Sequence, residues 1–243
     1  MNNVYLDCET FHATVDLKKA GAYKYAEGVE VMLLGWAIND EPALVWDITL
    51  GERCPQALVD AMLADDSLYI FHNATFDVLQ LRSYTEWKLP LAQVHCTMAQ
   101  ALAHGLPASL DQLGEVLGLP ADQQKSKAGK RLINKFCKPA PANHNATRYD
   151  RVNSPRDWAD FVEYCRVDIE ALRACHKRLP KWNYPGMKFE RDVWALDQRA
   201  NARGLPVDLH AVHRVLEVVD QEKVLLGERT KKLTNHAVAS TSQ

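Results

Sequence analysis

The residues of this 243-residue chain whose spacing points to chemistry fall in three short stretches, in order: VYLDCET, FHNATFD and EYCRVDIEA. They supply Asp7 and Glu9, then Asp77, then Tyr164 and Asp168. Several converging acidic oxygens are what a pair of divalent ions needs to be held at a reactive spacing, and two such ions suit hydrolysis of a phosphodiester. Asp7 and Glu9 stand two apart on an apolar strand, so period two puts both on one face. Carboxylates there are costly unless a cation neutralises them. Asp77 falls in the first turns of a helix that follows a strand. Tyr164 and Asp168 are one turn apart on a long helix and share a face.

The elements that must carry these residues can be read from the apolar pattern. Residues 3–8, 30–38 and 43–48 read as strands, with Asn39-Asp-Glu-Pro as the turn of a hairpin. Pro55 opens a helix, SLYIF (67–71) is a strand, and a helix starts near Ala74. QVHCT (93–97) is a short strand leading into a helix over 97–104, and Ser109 starts a helix over 109–117. A basic helix is expected over 126–137, then a Pro/Asn-rich loop over 138–153. Ser154-Pro155 starts a long helix to about Arg178, as N-cap and first helical position. Two further helices, near 187–203 and 209–233, follow Pro180 and Pro185. The order predicts an α/β domain with a mixed sheet and a helical C-terminal appendage.

Composition bounds the partners. No run approaches the roughly 18 apolar residues of a membrane span, and MNNVYLDCET has no signal-peptide pattern, so a cytoplasmic protein with no membrane partner is expected. The six cysteines form no C-x-x-C pair, which argues against a disulfide framework or a zinc site. Net charge is −2, yet residues 123–156 carry nine Lys and Arg against Asp150 alone. That stretch reads either as a solvated face or as a phosphate-contacting segment. His210 and His213 read as exposed helix residues, and Gly129-Lys130 lacks the rest of a P-loop.

Taken together, the three motifs resemble those of the DEDDy 3′–5′ exonucleases of the DnaQ-like, RNase H-like superfamily. More narrowly, VYLDCET…VDLKKAGAYKYAEGVEVMLLGWAI is similar to the N-terminal exonuclease part of phage-type family A DNA polymerases. The resemblance covers residues 1–180, with 181–243 similar to the start of a polymerase portion. It implies an RNase H-like mixed sheet flanked by helices and two divalent ions, Mg²⁺ or Mn²⁺. Asp7 would bridge the ions, Glu9 and Asp168 would complete the site nearest the attacking water, and Asp77 would hold the second ion. Tyr164 would orient and help activate the nucleophile, and Glu163, where the alternative subfamily has a histidine, selects the tyrosine subtype.

Thr10, Asn73 and Phe76 are expected to hold the terminal nucleotide of a single-stranded DNA 3′ end, and Lys125, Lys130 and Arg131 to contact phosphates. Asn73 also reads as a helix cap and Phe76 equally as core. The implied activity is proofreading release of nucleoside monophosphates, alongside a polymerase module or replication proteins, in the host cytoplasm if phage-encoded. RNA 3′-end trimming and a non-catalytic DNA-binding or partner-docking domain stand as alternatives. The polymerase motifs are missing, so synthesis by this chain is not expected, and the abrupt C-terminus favours a fragment.

Overall fold

A computed structural model of the chain describes residues 2–85, 87, 89–120, 129–141, 143 and 146–238. The chain forms two compact units, Met1–Gln198 and Arg199–Gln243. In the first, five strands form one mixed sheet: β1 (Asn2–Phe11), β2 (Glu30–Ile38), β3 (Leu44–Asp47), β4 (Ser67–Phe71) and β5 (Val94–Cys96). Their spatial order is β3-β2-β1-β4-β5. The first three pair antiparallel, while β4 and β5 run parallel to β1. This is the RNase H-like arrangement that the motifs implied. The hairpin turns at Asn39, whose positive φ of 50° suits an asparagine.

Helices cover both faces of the sheet. Alternation along β1 sends Val4, Leu6 and Cys8 into one core with Leu58 of α2 (Gln56–Leu63) and Ala74 and Leu81 of α3 (Ala74–Thr85). Tyr5 points the other way, towards Leu113 of α5 (Leu110–Val116) and Leu172 of α7 (Pro155–Arg178). A third cluster joins Phe11 and Leu33 to Leu132 and Phe136 of α6 (Gly129–Phe136) and Trp158, Phe161 and Tyr164 of α7. Helix α4 (Thr97–Ala103) follows β5 directly, and α8 (Lys188–Arg203) and α9 (Leu209–Leu233) end the chain. Residues 181–198 pack with the first unit: Tyr184 is buried, Trp194 lies on the core, and Thr75 donates to Gln198 Oε1 at 2.7 Å.

Helix α1 (Leu17–Ala26) was not expected from the sequence. It has no continuous apolar stripe and is interrupted at Gly21, whose φ is 79°. Its start is nonetheless marked, since the Asp16 side chain accepts from the backbone N–H of Lys18 and Lys19. Ser109 and Ser154 do occupy N-cap positions, but neither side chain makes a capping bond.

Candidate active site

Parallel pairing of β1 with β4 runs only from Asn2↔Ser67 to Tyr5↔Ile70. Beyond Tyr5 the two strands no longer pair, and the carboxyl end of β1 lines an open crevice, where α/β sheets commonly bind ligands. Helix α3 fills part of this gap: Cys8 donates its backbone N–H to Asp77 Oδ1 at 3.1 Å. On the other side of β1 the register slips between Glu9 and Thr10, so that Met32 of β2 is skipped. Such a bulge bends the strand and re-aims its side chains beside functional sites.

Asp7, Glu9 and Asp168 each offer a carboxylate oxygen, and the three oxygens lie within 4.8 Å of one another. Glu9 is 6% exposed and Asp77 and Asp168 are 2% exposed, whereas Asp7 is half-buried. Helix α7 reaches β1 because it crosses the sheet closely at Gly35, the β2 partner of Asp7. Burial first, and then the neighbouring Asp7 carboxylate, push the Asp77 carboxyl well above the usual carboxylate range. Carboxylates crowded out of water in this way suit a divalent cation, which offsets both burial and mutual repulsion. All four are hard oxygen donors, the set that Mg²⁺ and Mn²⁺ take. Asp7, Glu9 and Asp168 therefore fit a divalent ion, while Asp77, which accepts from the Cys8 N–H, stands outside that group of three.

Tyr164 sits one turn before Asp168 and is 3% exposed. Burial, then the charges of Asp168 and Glu9, raise its phenol far above the ordinary tyrosine range. The Cys137 thiol also donates towards Glu9, Sγ to Oε2 at 3.6 Å.

Next to Glu9 opens a pocket of about 640 Å³, lined on the β1 side by Thr10 and His12, on the helical side by Tyr25, Phe76 and Lys130, and also by Cys137. Thr10 is buried, and its hydroxyl shares a 3.1 Å hydrogen bond with the Tyr25 hydroxyl. The Phe76 ring lies 6.1 Å from that of Tyr25, forming an aromatic wall. His12 fixes the loop beyond β1: its Nδ1 accepts from the N–H of Thr14 and Val15, at 3.2 and 3.0 Å, and its Nε2 donates to the Glu27 carbonyl.

Thr10, Phe76 and Lys130 are therefore brought together. Asn73 lies apart from this pocket. It is exposed at φ 76°, and its carbonyl, not its side chain, bonds the helix start by accepting from the Phe76 N–H at 2.9 Å. Arg131 is held by Asp157 at 3.2 Å, together with Lys135 at 2.5 Å. Arg148 pairs with Glu30 at 2.5 Å and covers the Phe11 ring. Three of the nine basic residues of that stretch, Arg131, Lys135 and Arg148, are thus paired with acids distant in sequence, while Lys130 and Lys138 line the pocket. Lys125 lies outside the described residues. Tyr25, His12 and Cys137 carried no sequence signal, because α1, the bulge of β1 and the end of α6 that place them carried little.

No family model matches the chain. By sequence it is 35% identical over 239 residues to a DNA polymerase of Bacillus phage SP02. That alignment covers 96% of this chain and 36% of the polymerase, so the chain spans about a third of its relative's length. Among solved structures, the apo form of a nuclease matches 81% of each chain with a TM-score of 0.48 at 16% identity. Brucella melitensis NrnC matches 84% of this chain and 88% of its own, with a TM-score of 0.41 at 18% identity. The likeness to phage DNA polymerases read from the motifs thus holds along nearly the whole chain.

Proposed function

From this kinship with a phage DNA polymerase, we propose that the chain is a metal-dependent 3′–5′ exonuclease. It hydrolyses the terminal phosphodiester of single-stranded DNA and releases nucleoside monophosphates, as a proofreading part of a family A DNA polymerase. The observation that carries this reading is the convergence of Asp7, Glu9 and Asp168 oxygens within 4.8 Å of one another, beside a pocket lined by Thr10 and Phe76.

Asp7, Glu9, Asp77 and Asp168 would hold two divalent ions, Mg²⁺ or Mn²⁺. When bound, the ions supply Lewis acidity, easing deprotonation of water and neutralising charge on the phosphate and leaving oxygen. The chain's residues do the positioning. Tyr164, kept as a phenol by burial and by Asp168, orients the nucleophile through its hydroxyl instead of acting as a base. Phe76 and Tyr25 receive the terminal base, a contact that is tolerant of sequence. The buried hydroxyls of Thr10 and Tyr25 meet the sugar, and Lys130 and Lys138 attract the phosphates. Residues 1–180 are read as the exonuclease domain and 181–243 as the start of a polymerase portion.

The reading is tested with single-stranded DNA labelled at its 3′ end, alongside a matched RNA. Labelled mononucleotide should appear only with Mg²⁺ or Mn²⁺, stop on chelation, and be lost by at least about 100-fold in Asp7→Ala and Asp168→Ala. Full activity in those variants would refute it. Faster cleavage of the RNA would redirect the reading to RNA trimming.

A further inference from the structure

Two glycines touch the turn of α7 that carries Tyr164 and Asp168. Gly129 opens α6 and is buried. A methyl group built on it would run into Cε2 of Tyr164 and lie 2.5 and 2.7 Å from Cδ2 and Cζ of the same ring. Its backbone is not in the left-handed region, so conformational freedom does not explain the glycine; the closeness of the ring does. On β2, a methyl group on Gly35 would lie 2.8 Å from Cγ1 of Ile169, 3.0 Å from Sγ of Cys165 and 3.1 Å from the Cys165 carbonyl oxygen. Gly35 pairs directly with Asp7.

We infer that Gly35 and Gly129 are positioning residues for the candidate site. The sheet and α6 both close on α7 where no Cβ intervenes, and this approach sets Tyr164 and Asp168 against Asp7 and Glu9. Around the Tyr164 ring the fit is completed by Phe161, whose ring is nearly parallel at 4° with centroids 6.3 Å apart. Helix α6 is held in turn by Leu132 and Phe136 in the same cluster and by the Arg131 and Lys135 ion pairs to Asp157. A side chain at position 129 would act on Tyr164, whose ring is already packed against Phe161.

The catalytic consequence rests on the exonuclease reading, whereas the contact itself is testable without it. The experiment is a thermal-stability cycle of Gly129→Ala in the full chain, in the natural background and with Tyr164→Val, whose side chain ends before the ring atoms that Gly129 meets. With Tyr164 present, Gly129→Ala should lower Tm by on the order of 5 °C. With Tyr164→Val it should be neutral or raise Tm, because alanine favours the helix. Gly227→Ala on α9, whose added methyl meets nothing within 4 Å, is the control and should keep or raise Tm and leave cleavage unchanged.

On labelled single-stranded DNA, Gly129→Ala should lower kcat by about 10- to 100-fold with KM little altered, as a small displacement of a catalytic group does. Gly35→Ala should lower kcat likewise, and if it fails to fold the Gly129 cycle decides alone. Equal Tm shifts in both backgrounds, or full kcat in Gly129→Ala, would overturn the inference. Absence of metal-dependent cleavage by the natural chain would instead remove the exonuclease reading and leave the stability cycle to decide the contact.

Discussion

Asp7 and Glu9 gain their significance from strand parity. Tyr5, one step earlier on the same face, packs with α7, while Cys8 between them joins the α2 and α3 core. The two carboxylates therefore turn towards α7, and Asp168 meets them there. Asp77 arrives from the opposite layer and enters at the edge of β1, through the bond from the Cys8 N–H. Tyr164 is the residue whose role is most specific. As a buried phenol beside the Asp168 carboxylate, it would contribute position and, through its hydroxyl, a hydrogen bond to the nucleophile. Replacing it by phenylalanine keeps the ring against Gly129 and removes only the hydroxyl. Tyr164→Phe should lower kcat on the order of 100-fold while KM changes little, as read by single-turnover cleavage of labelled DNA.

At the scale of elements, α7 is the organising piece. Trp158 near its start donates to Asp47 at the end of β3 at 2.8 Å. Its last turns are secured by a buried network: the Tyr5 hydroxyl and His176 Nδ1 share a hydrogen bond of 3.1 Å, and His95 Nε2 donates to Gln100 Oε1 at 2.7 Å. The two imidazoles lie 5.1 Å apart. Burial lowers His95 to about 4 and His176 to about 3. An unfolded histidine titrates near 6.5. Below that value the unfolded chain binds protons that the folded chain refuses, so this stability is present above pH 6.5 and is lost as pH falls towards 4. The midpoint of urea unfolding should decline from pH 7 to pH 5, as the unfolding free energy falls by about 2 kcal/mol per histidine. The slope should flatten in His95→Gln. A midpoint independent of pH in both proteins would refute this account of the α7 anchor.

Most elements were legible because their apolar pattern and punctuation agree. Residues 30–38 and 67–71 are continuous apolar runs between turn signals, and both strands fall where the pattern put them. Pro155 likewise marks the start of α7. Helix α1 was not legible, since it is mostly polar and broken at Gly21, and its one buried aromatic, Tyr25, contributes to the pocket. The acidic centre could be read from parity and helical spacing. The pocket could not, because the bulge at Glu9/Thr10 and the pairing of Arg131 and Arg148 with Asp157 and Glu30 depend on partners remote in sequence.

At the scale of the whole molecule, every residue of the candidate site belongs to the unit Met1–Gln198. The division falls inside α8, and Gly204–Asp208, between α8 and α9, is exposed. A chain shortened to end at Gly204 should fold and cleave DNA within about twofold of the full chain, because no proposed ligand or pocket residue is lost. A collapse of activity with folding intact would mean that the second unit contributes to catalysis. No helix among the described residues is long and apolar enough to cross a membrane. The negative net charge also fits recognition through a local cationic border, not a basic surface.

The most direct test of the central claim is anomalous diffraction from crystals of the chain grown with Mn²⁺. Two Mn²⁺ peaks about 3.5–4 Å apart are expected, ligated by Asp7, Glu9 and Asp168, with Asp77 beside the second. Crystals of Asp7→Ala should lose both peaks. Absence of anomalous density among these carboxylates at saturating Mn²⁺, or ions bound only elsewhere, would contradict it.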